Sequence, residues 1–332
     1  NMKKLIPSFE IYYNKTKISY HSIKKFDPAN GTNRDQDNAI RESVIGAIIN
    51  KKIPDICYLV SDEWRRLWIE LNKYIETLGK KMNIIIVTVE CIHRAGRMYH
   101  YDFDILLNNI VINVEFKFNA SCVIETPQFA SPCKPSQFLD LNFEEWYYDN
   151  YLTLIAEYGN IIIPDRDTYI KTIGSNNVEC MKLFKEKYDN DKDFNMYCKK
   201  IDKTAIKEFI QMCNLDISIL SDYLLTTQTD KIYMCYKDHN FYHDMVDTSL
   251  YIIKNVIQKE PTNFICETNN GCKLEVKLRF KNGCGLQFPA FQIKRKIPTV
   301  KQLKILCSEN NIPSPKLKKK IIEVLDEHNI IY

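Results

Sequence analysis

Between Phe103 and Phe118 apolar and polar residues alternate on either side of Asn108-Asn109, a pattern that suits one local structure, a two-stranded antiparallel hairpin. With Asn108 and Asn109 as a two-residue turn, the register sets Leu107 across from Ile110, Phe103 across from Val114 and Asp102 across from Glu115. Successive strand side chains point to opposite faces. Phe103, Ile105, Leu107, Ile110, Ile112, Val114, Phe116 and Phe118 therefore share one face, and Asp102, Asp104, Glu115 and Lys117 share the other. Such a hairpin must lay its apolar face on a core.

Three carboxylates and a lysine on one surface carry chemical meaning. Closely spaced carboxylates repel unless a proton or a cation sits between them, and oxygen donors suit magnesium. A metal there would polarise a phosphodiester and sharpen a bound water as nucleophile, and Lys117 on the same face could hold that water or the developing charge. The constellation resembles the PD-(D/E)XK nuclease superfamily, with its restriction-endonuclease-like fold: an acid on one strand, then Glu-x-Lys on the next after roughly ten residues, matched here by Asp104, Glu115 and Lys117. Phe103 stands where the family places proline. The resemblance covers about residues 35–155. It implies that Asp104, Glu115 and Lys117 are catalytic. It also implies that Asp104, Glu115, the carbonyl of Phe116, and Asp102 or the helical Glu42 hold Mg2+, with Mn2+ able to substitute. Family spacing favours Asp104 as principal ligand and the hairpin register favours Asp102. Cleavage is expected to leave a 3′ hydroxyl and a 5′ phosphate.

A second Glu-x-Lys, Glu275-Val276-Lys277, lacks an acidic partner strand and reads as an ordinary exposed strand. Cys235, His239 and His243 would form a metal-binding stripe on a helix, but Ile232–Tyr236 reads as a strand and Asp238-His239-Asn240 as its turn.

At 332 residues with 45% hydrophobic and 27% charged side chains, the chain is of ordinary globular composition and long enough for two domains. A net charge of +4 is only mildly basic, so a nucleic-acid surface must come from local clustering. Twelve scattered cysteines without a Cys-x-x-Cys pair, an N-terminal stretch with no long apolar core and the lack of any membrane-length apolar run predict reduced thiols. The expected setting is intracellular, cytoplasmic or nuclear. Abundant Ile, Asn, Lys and Tyr point to an AT-rich genome, as in large DNA viruses and some protists and bacteria.

Helices are predicted from Asp37 to about Asn50, carrying Glu42, and from a Ser61 cap through Trp64, Leu67, Trp68, Leu71, Ile75 and Leu78, all read as core. Ile84–Val89 reads as a buried strand ahead of the hairpin, giving the helix-strand-strand-strand order expected of the nuclease core. The proline-rich stretch 125–135 is placed to border the site and contact substrate. A helix follows from Phe138 to about Tyr158. Gln137 is followed four residues on by Leu141 where exonucleases of the superfamily carry tyrosine, which favours an endonuclease. Residues 165–260 read as mostly helical and lysine-rich, and 263–296 as strands with turns at Asn269-Asn270-Gly271 and Lys281-Asn282-Gly283. Lys294, Arg295 and Lys296 form a basic sheet edge able to hold phosphates. The final helical pair, Thr299–Cys307 and Leu317–Leu325, resembles the SAP motif, a small DNA-binding hairpin. Pro315 and Leu317 depart from its usual glycine, and Lys316, Lys318, Lys319 and Lys320 offer a phosphate grip.

The expected fold class is mixed α/β: a restriction-endonuclease-like sheet flanked by helices, a helical middle region, a small β segment and a C-terminal two-helix hairpin. The expected divisions are a nuclease core over 1–160, an accessory region over 161–297 and the SAP-like hairpin over 298–332. The expected activity is divalent-metal-dependent DNA endonuclease. The alternative is a non-catalytic DNA-binding protein that retains the fold. DNA is the expected partner and no membrane is involved; many enzymes that the chain resembles work as homodimers because one site cuts one strand, but no coiled coil or interface stripe in the sequence sets the oligomeric state.

Overall fold

The computed structural model describes residues 9–29, 35–94, 99–120, 123, 128–130, 134–173, 179–244, 248–280, 289–330 and 332. A small hairpin of β1 (Glu10–Tyr13) and β2 (Thr16–Ser19) leads into helices α1 (Asp35–Ile49), α2 (Asp55–Val60) and α3 (Asp62–Lys81). Strands β3 (Val89–His93), β4 (Phe103–Leu107) and β5 (Ile110–Phe118) follow, then the short β6 (Gln128–Phe129). The middle of the chain holds α4 (Phe143–Tyr147), α5 (Thr153–Gly159), α6 (Arg166–Thr172), α7 (Glu179–Asn190), α8 (Lys192–Met212) and α9 (Ile217–Thr229). Six strands come next: β7 (Ile232–Lys237), β8 (Asn240–Asp244), β9 (Ile253–Glu260), β10 (Asn263–Thr268), β11 (Lys273–Phe280) and β12 (Pro289–Arg295). Helices α10 (Val300–Glu309) and α11 (Lys318–Glu327) close the chain. The protein is thus mixed α/β, and no helix among the described residues is long and apolar enough to cross a membrane.

Two compact units form, one from 1–123 and 227–246, the other from 124–226 and 247–332. The first is built on a five-stranded sheet in the order β3-β4-β5-β7-β8, antiparallel except where β7 runs parallel to β5. Its fourth and fifth strands come from 232–244, inside the stretch assigned by linear reading to an accessory region and read there as mostly helical. Both hairpin turns are Asn- or Asp-led pairs with positive φ, Asn108-Asn109 at 50° and 71° and Asp238-His239 at 49° and 65°, the twist that a two-residue connection requires. The predicted register holds, with Phe103 opposite Val114 and Leu107 opposite Ile110. The apolar face of β4 and β5 packs on α1 and α3 through Val44, Ile45, Leu67, Leu71 and Ile75. Ser61 caps α3, its hydroxyl accepting from Trp64 N–H at 3.3 Å.

Two expectations fail here. Ile84–Val87 is not a strand: Ile85 and Val87 are 88% and 82% exposed, and the side chain of Asn108 takes the N–H groups of Val87 and Thr88 and donates to the Ile85 carbonyl. The strand begins only at Val89, opposite Leu107. Trp68 is 42% exposed and lies against Tyr58 of α2, outside the core. The strand expected at Ile232–Tyr236 and the turn at Asp238-His239-Asn240 do form: Cys235 and His243 lie on adjacent strands joined by the turn that contains His239, so the three share no helical stripe.

In the second unit β6-β12-β11-β10-β9 form a second five-stranded sheet. The turn at Asn269-Asn270-Gly271 forms as expected, with Gly271 at φ 81°, whereas Lys281-Asn282-Gly283 and most of 125–135 lie outside the described residues. Thr299 caps α10 in a reciprocal capping box with Gln302, and Leu303, Cys307, Ile312, Ile321, Leu325 and Tyr332 form a separate small core of the terminal helices. The eight described free cysteines are all buried.

Candidate active site

The polar face of the hairpin lies opposite the helices, and alternation fills it. Asp104 sits across the ladder from Asn113, and Glu115 and Lys117 continue that side of β5. The parallel pairing of β7 sets Tyr233 beside Glu115, which brings Lys231, two residues earlier, onto the same face.

Glu115 is the centre of the cluster. One of its carboxylate oxygens accepts from Lys117 Nζ and the other from Lys231 Nζ. The Lys231 side chain is 1% exposed, and it also donates to the His100 carbonyl. Burial alone would raise the Glu115 carboxyl, but the two ammonium groups overcome it and hold it down at about 2. Lys117 is raised in turn: burial opposes its charge, and Glu115 more than offsets that. Asp102, at the mouth of the hairpin, accepts from Phe116 N–H through Oδ2 at 2.8 Å. Burial, and after it the Glu115 charge, push the Asp102 carboxyl up to about 6. Two neighbouring carboxylates therefore hold opposite protonation tendencies, the arrangement in which one can carry a proton near neutral pH while the other stays ionised.

Asp104 is buried, and its Oδ2 accepts from Arg94 Nε at 2.7 Å. Its other oxygen, Oδ1, is buried with no hydrogen-bond partner among the described residues. A buried carboxylate oxygen without a partner is costly and marks a place where a cation or water belongs. At the rim of the cluster His100 Nε2 lies 2.7 Å from Asp230 Oδ2, and Asn113 donates to the Asp230 carbonyl at 2.9 Å.

Glu42 lies elsewhere. Its Oε2 is 3.6 Å from Nε2 of His93, which pairs with Phe103 and so shares the helix-packed face rather than that of Asp104. Among the described residues no group of three His, Cys, Asp or Glu side chains stands ready to hold a metal ion. The donor chemistry fits magnesium: Asp104 Oδ1 has no hydrogen-bond partner among the described residues and Asp102 is pushed up partly by the Glu115 charge, and carboxylate oxygens are what a hard cation takes.

The basic residues expected to grip phosphate divide. Lys294 pairs with Glu275 at 3.2 Å, Lys296 pairs with Glu260, and the Arg295 guanidinium lies 4.3 Å from the centre of the Tyr332 ring, so all three are engaged within their own unit. Glu275-Val276-Lys277 lies on β11 as an ordinary strand. Lys316, Lys318 and Lys320 are exposed at the start of α11, whose cap Leu317 makes no side-chain bond, and the side chain of Lys319 lies outside the described residues.

Arg94, His100, Asp230 and Lys231 escaped the sequence reading. The one signal for Lys231 is its alternation with Tyr233 and Cys235, which places it by Glu115 only once β7 is known to pair with β5. No family model, curated protein or solved structure matches this chain.

Proposed function

We propose that this protein is a divalent-metal-dependent DNA endonuclease of the PD-(D/E)XK type, with a restriction-endonuclease-like sheet carrying Asp102, Asp104, Glu115 and Lys117. The observation that carries the reading is the buried acid and lysine cluster on the polar face of the β4–β5 hairpin, with Asp104 Oδ1 left without a hydrogen-bond partner among the described residues. Magnesium would be held by Asp104 and Asp102, by Glu115 on release of a lysine, and by the Phe116 carbonyl, and when bound it supplies polarisation of the phosphodiester and a more acidic water. Mn2+ fits the same oxygens. Lys117 would stabilise the negative charge that develops on the phosphoryl oxygens. Lys231 keeps Glu115 ionised and positioned, and Arg94 does the same for Asp104.

The test is supercoiled plasmid incubated with the protein in magnesium, manganese or chelator, beside Glu115→Gln and Lys117→Ala. The expected result is metal-dependent cutting that falls by at least about a hundredfold in both variants while DNA binding is retained. Full cutting by either variant removes the assignment.

One observation favours a second reading, a DNA-binding protein that keeps the fold without the chemistry: both oxygens of Glu115 are already taken by lysines. On that reading wild type binds plasmid with and without metal and never cuts it.

A further inference from the structure

Helix α8 carries a basic stripe that the site does not use. At 3.6 residues per turn, Lys192, Lys199, Lys200, Lys203 and Lys207 fall within about 100° of the helix circumference, with Met196 between them. All five lysines are exposed. None of them pairs with an acid among the described residues, in contrast to Lys185 on the preceding helix, which pairs with Asp189 at 2.7 Å.

All but one of the acids on or capping this helix are committed elsewhere. Asp191 caps it, accepting from Phe194 N–H at 3.0 Å. Asp202 is buried and accepts from the Tyr147 hydroxyl at 2.7 Å, and Glu208 accepts from the Tyr151 hydroxyl. Only Asp193, in the first turn, borders the stripe in solvent. Glutamates interleaved at i,i+4 would stabilise such a lysine face. This face forgoes that stabilisation over a length of about 22 Å from Lys192 to Lys207. Its opposite side is anchored by Phe194, Cys198, Ala205 and Phe209, so the lysines are displayed on a helix fixed in place.

We propose that the α8 stripe is a docking surface for the phosphate backbone of duplex DNA. The inference rests on the reading of DNA as partner, and it places the main electrostatic contact on α8 rather than on the Lys294–Lys296 edge, whose cations are already engaged. Flexible point charges in a row recognise a line of phosphates and no base sequence. The helix holds backbone contacts, and the specificity of any cutting lies elsewhere.

The experiment measures binding of two unrelated duplexes in chelator across a salt series, for wild type, Lys199→Gln/Lys203→Gln/Lys207→Gln, the same three positions as Arg, and Lys316→Gln/Lys318→Gln/Lys320→Gln. Each phosphate contact contributes about 0.9 to the slope of log K against log salt. The α8 glutamine variant is expected to lose about 2.7 from that slope and more than about tenfold in affinity, equally for both duplexes. The arginine variant is expected to retain both. Glutamine is close to lysine in helix propensity, so an unchanged circular dichroism spectrum and melting midpoint confirm a folded variant. An unchanged slope, or a loss confined to the α11 variant, overturns the proposal. So does wild type that binds no DNA but binds phosphatidylserine vesicles or polyglutamate through these lysines. Because the chelator prevents cutting, an inactive wild type in the plasmid assay would leave this result standing, and an unchanged slope would leave the plasmid assay standing.

Discussion

Asp102 and Glu115 make opposite contributions to stability as pH changes. The Glu115 carboxyl is held at about 2 against an ordinary 4.5, so its stabilisation is complete above 4.5 and is lost as pH falls through 2. Asp102 is raised to about 6 from an ordinary 3.8; its ionised form is disfavoured in the fold, so stability rises as pH falls from 7 through 6 and levels off below 4. Asp102→Asn keeps an oxygen for Phe116 N–H and removes the charge. It is expected to stabilise the protein at pH 7 by on the order of 2 kcal/mol, with the gain gone by pH 4. Urea midpoints from pH 4 to 8 check this, and parallel curves for variant and wild type would refute the account of the pair. At this scale the acids and Lys117 were legible because alternation alone sorts them onto one face. Lys231 was not, since its contact with Glu115 spans 116 positions and depends on which strand lies next to β5. Arg94 was hidden for a similar reason: its bond to Asp104 depends on the position of β3, and the continuous apolar run before it gave no periodicity to locate the strand.

The β4–β5 hairpin shows when local reading succeeds at the scale of an element. Alternation and turn chemistry agree there, and the register comes out correct to the residue. Where they do not combine, as in Ile84–Val89, hydrophobicity alone misleads, because this stretch is drawn across the hairpin tip by one asparagine. Asn108 therefore has two roles, a positive-φ turn residue and a side chain making three bonds to 85–88, whereas Asn109 has only the first. Asn109→Gly relieves the left-handed φ and should be neutral to stabilising by up to about 0.5 kcal/mol, Asn-Gly being the favoured pair for such turns. Asn108→Gly keeps the turn but abandons the three bonds, and it is expected to cost about 2 kcal/mol. Equal effects of the two substitutions on the urea midpoint would mean that the tip bonds contribute nothing to stability.

At the scale of the molecule, the first unit is assembled from distant segments. Strand Ile232–Tyr236 could be recognised from its own residues, but its partner could not, because the pairing of Val114 with Ile232 is decided by core packing across a long intervening chain. β7 covers the free edge of β5, Tyr236 stacks on Phe118 at 6.0 Å, and β8 brings Phe241 against Tyr74 of α3 at 6.2 Å. A fragment 1–160 lacks all of these and leaves β5 as an exposed, largely apolar edge, a surface prone to pairing with other chains. It also lacks Lys231, so Glu115 keeps only one of its two cationic partners in a buried setting, which is destabilising by several kcal/mol. The fragment is expected to show no cooperative urea transition and to aggregate. Residues 1–123 joined through a Gly/Ser linker to 227–246 restore the sheet and should unfold in a single transition. A cooperative transition in the shorter fragment, with a dispersed amide NMR spectrum, would mean that α1, α3 and the three-stranded meander suffice, and that β7 and Lys231 are additions to a core complete without them.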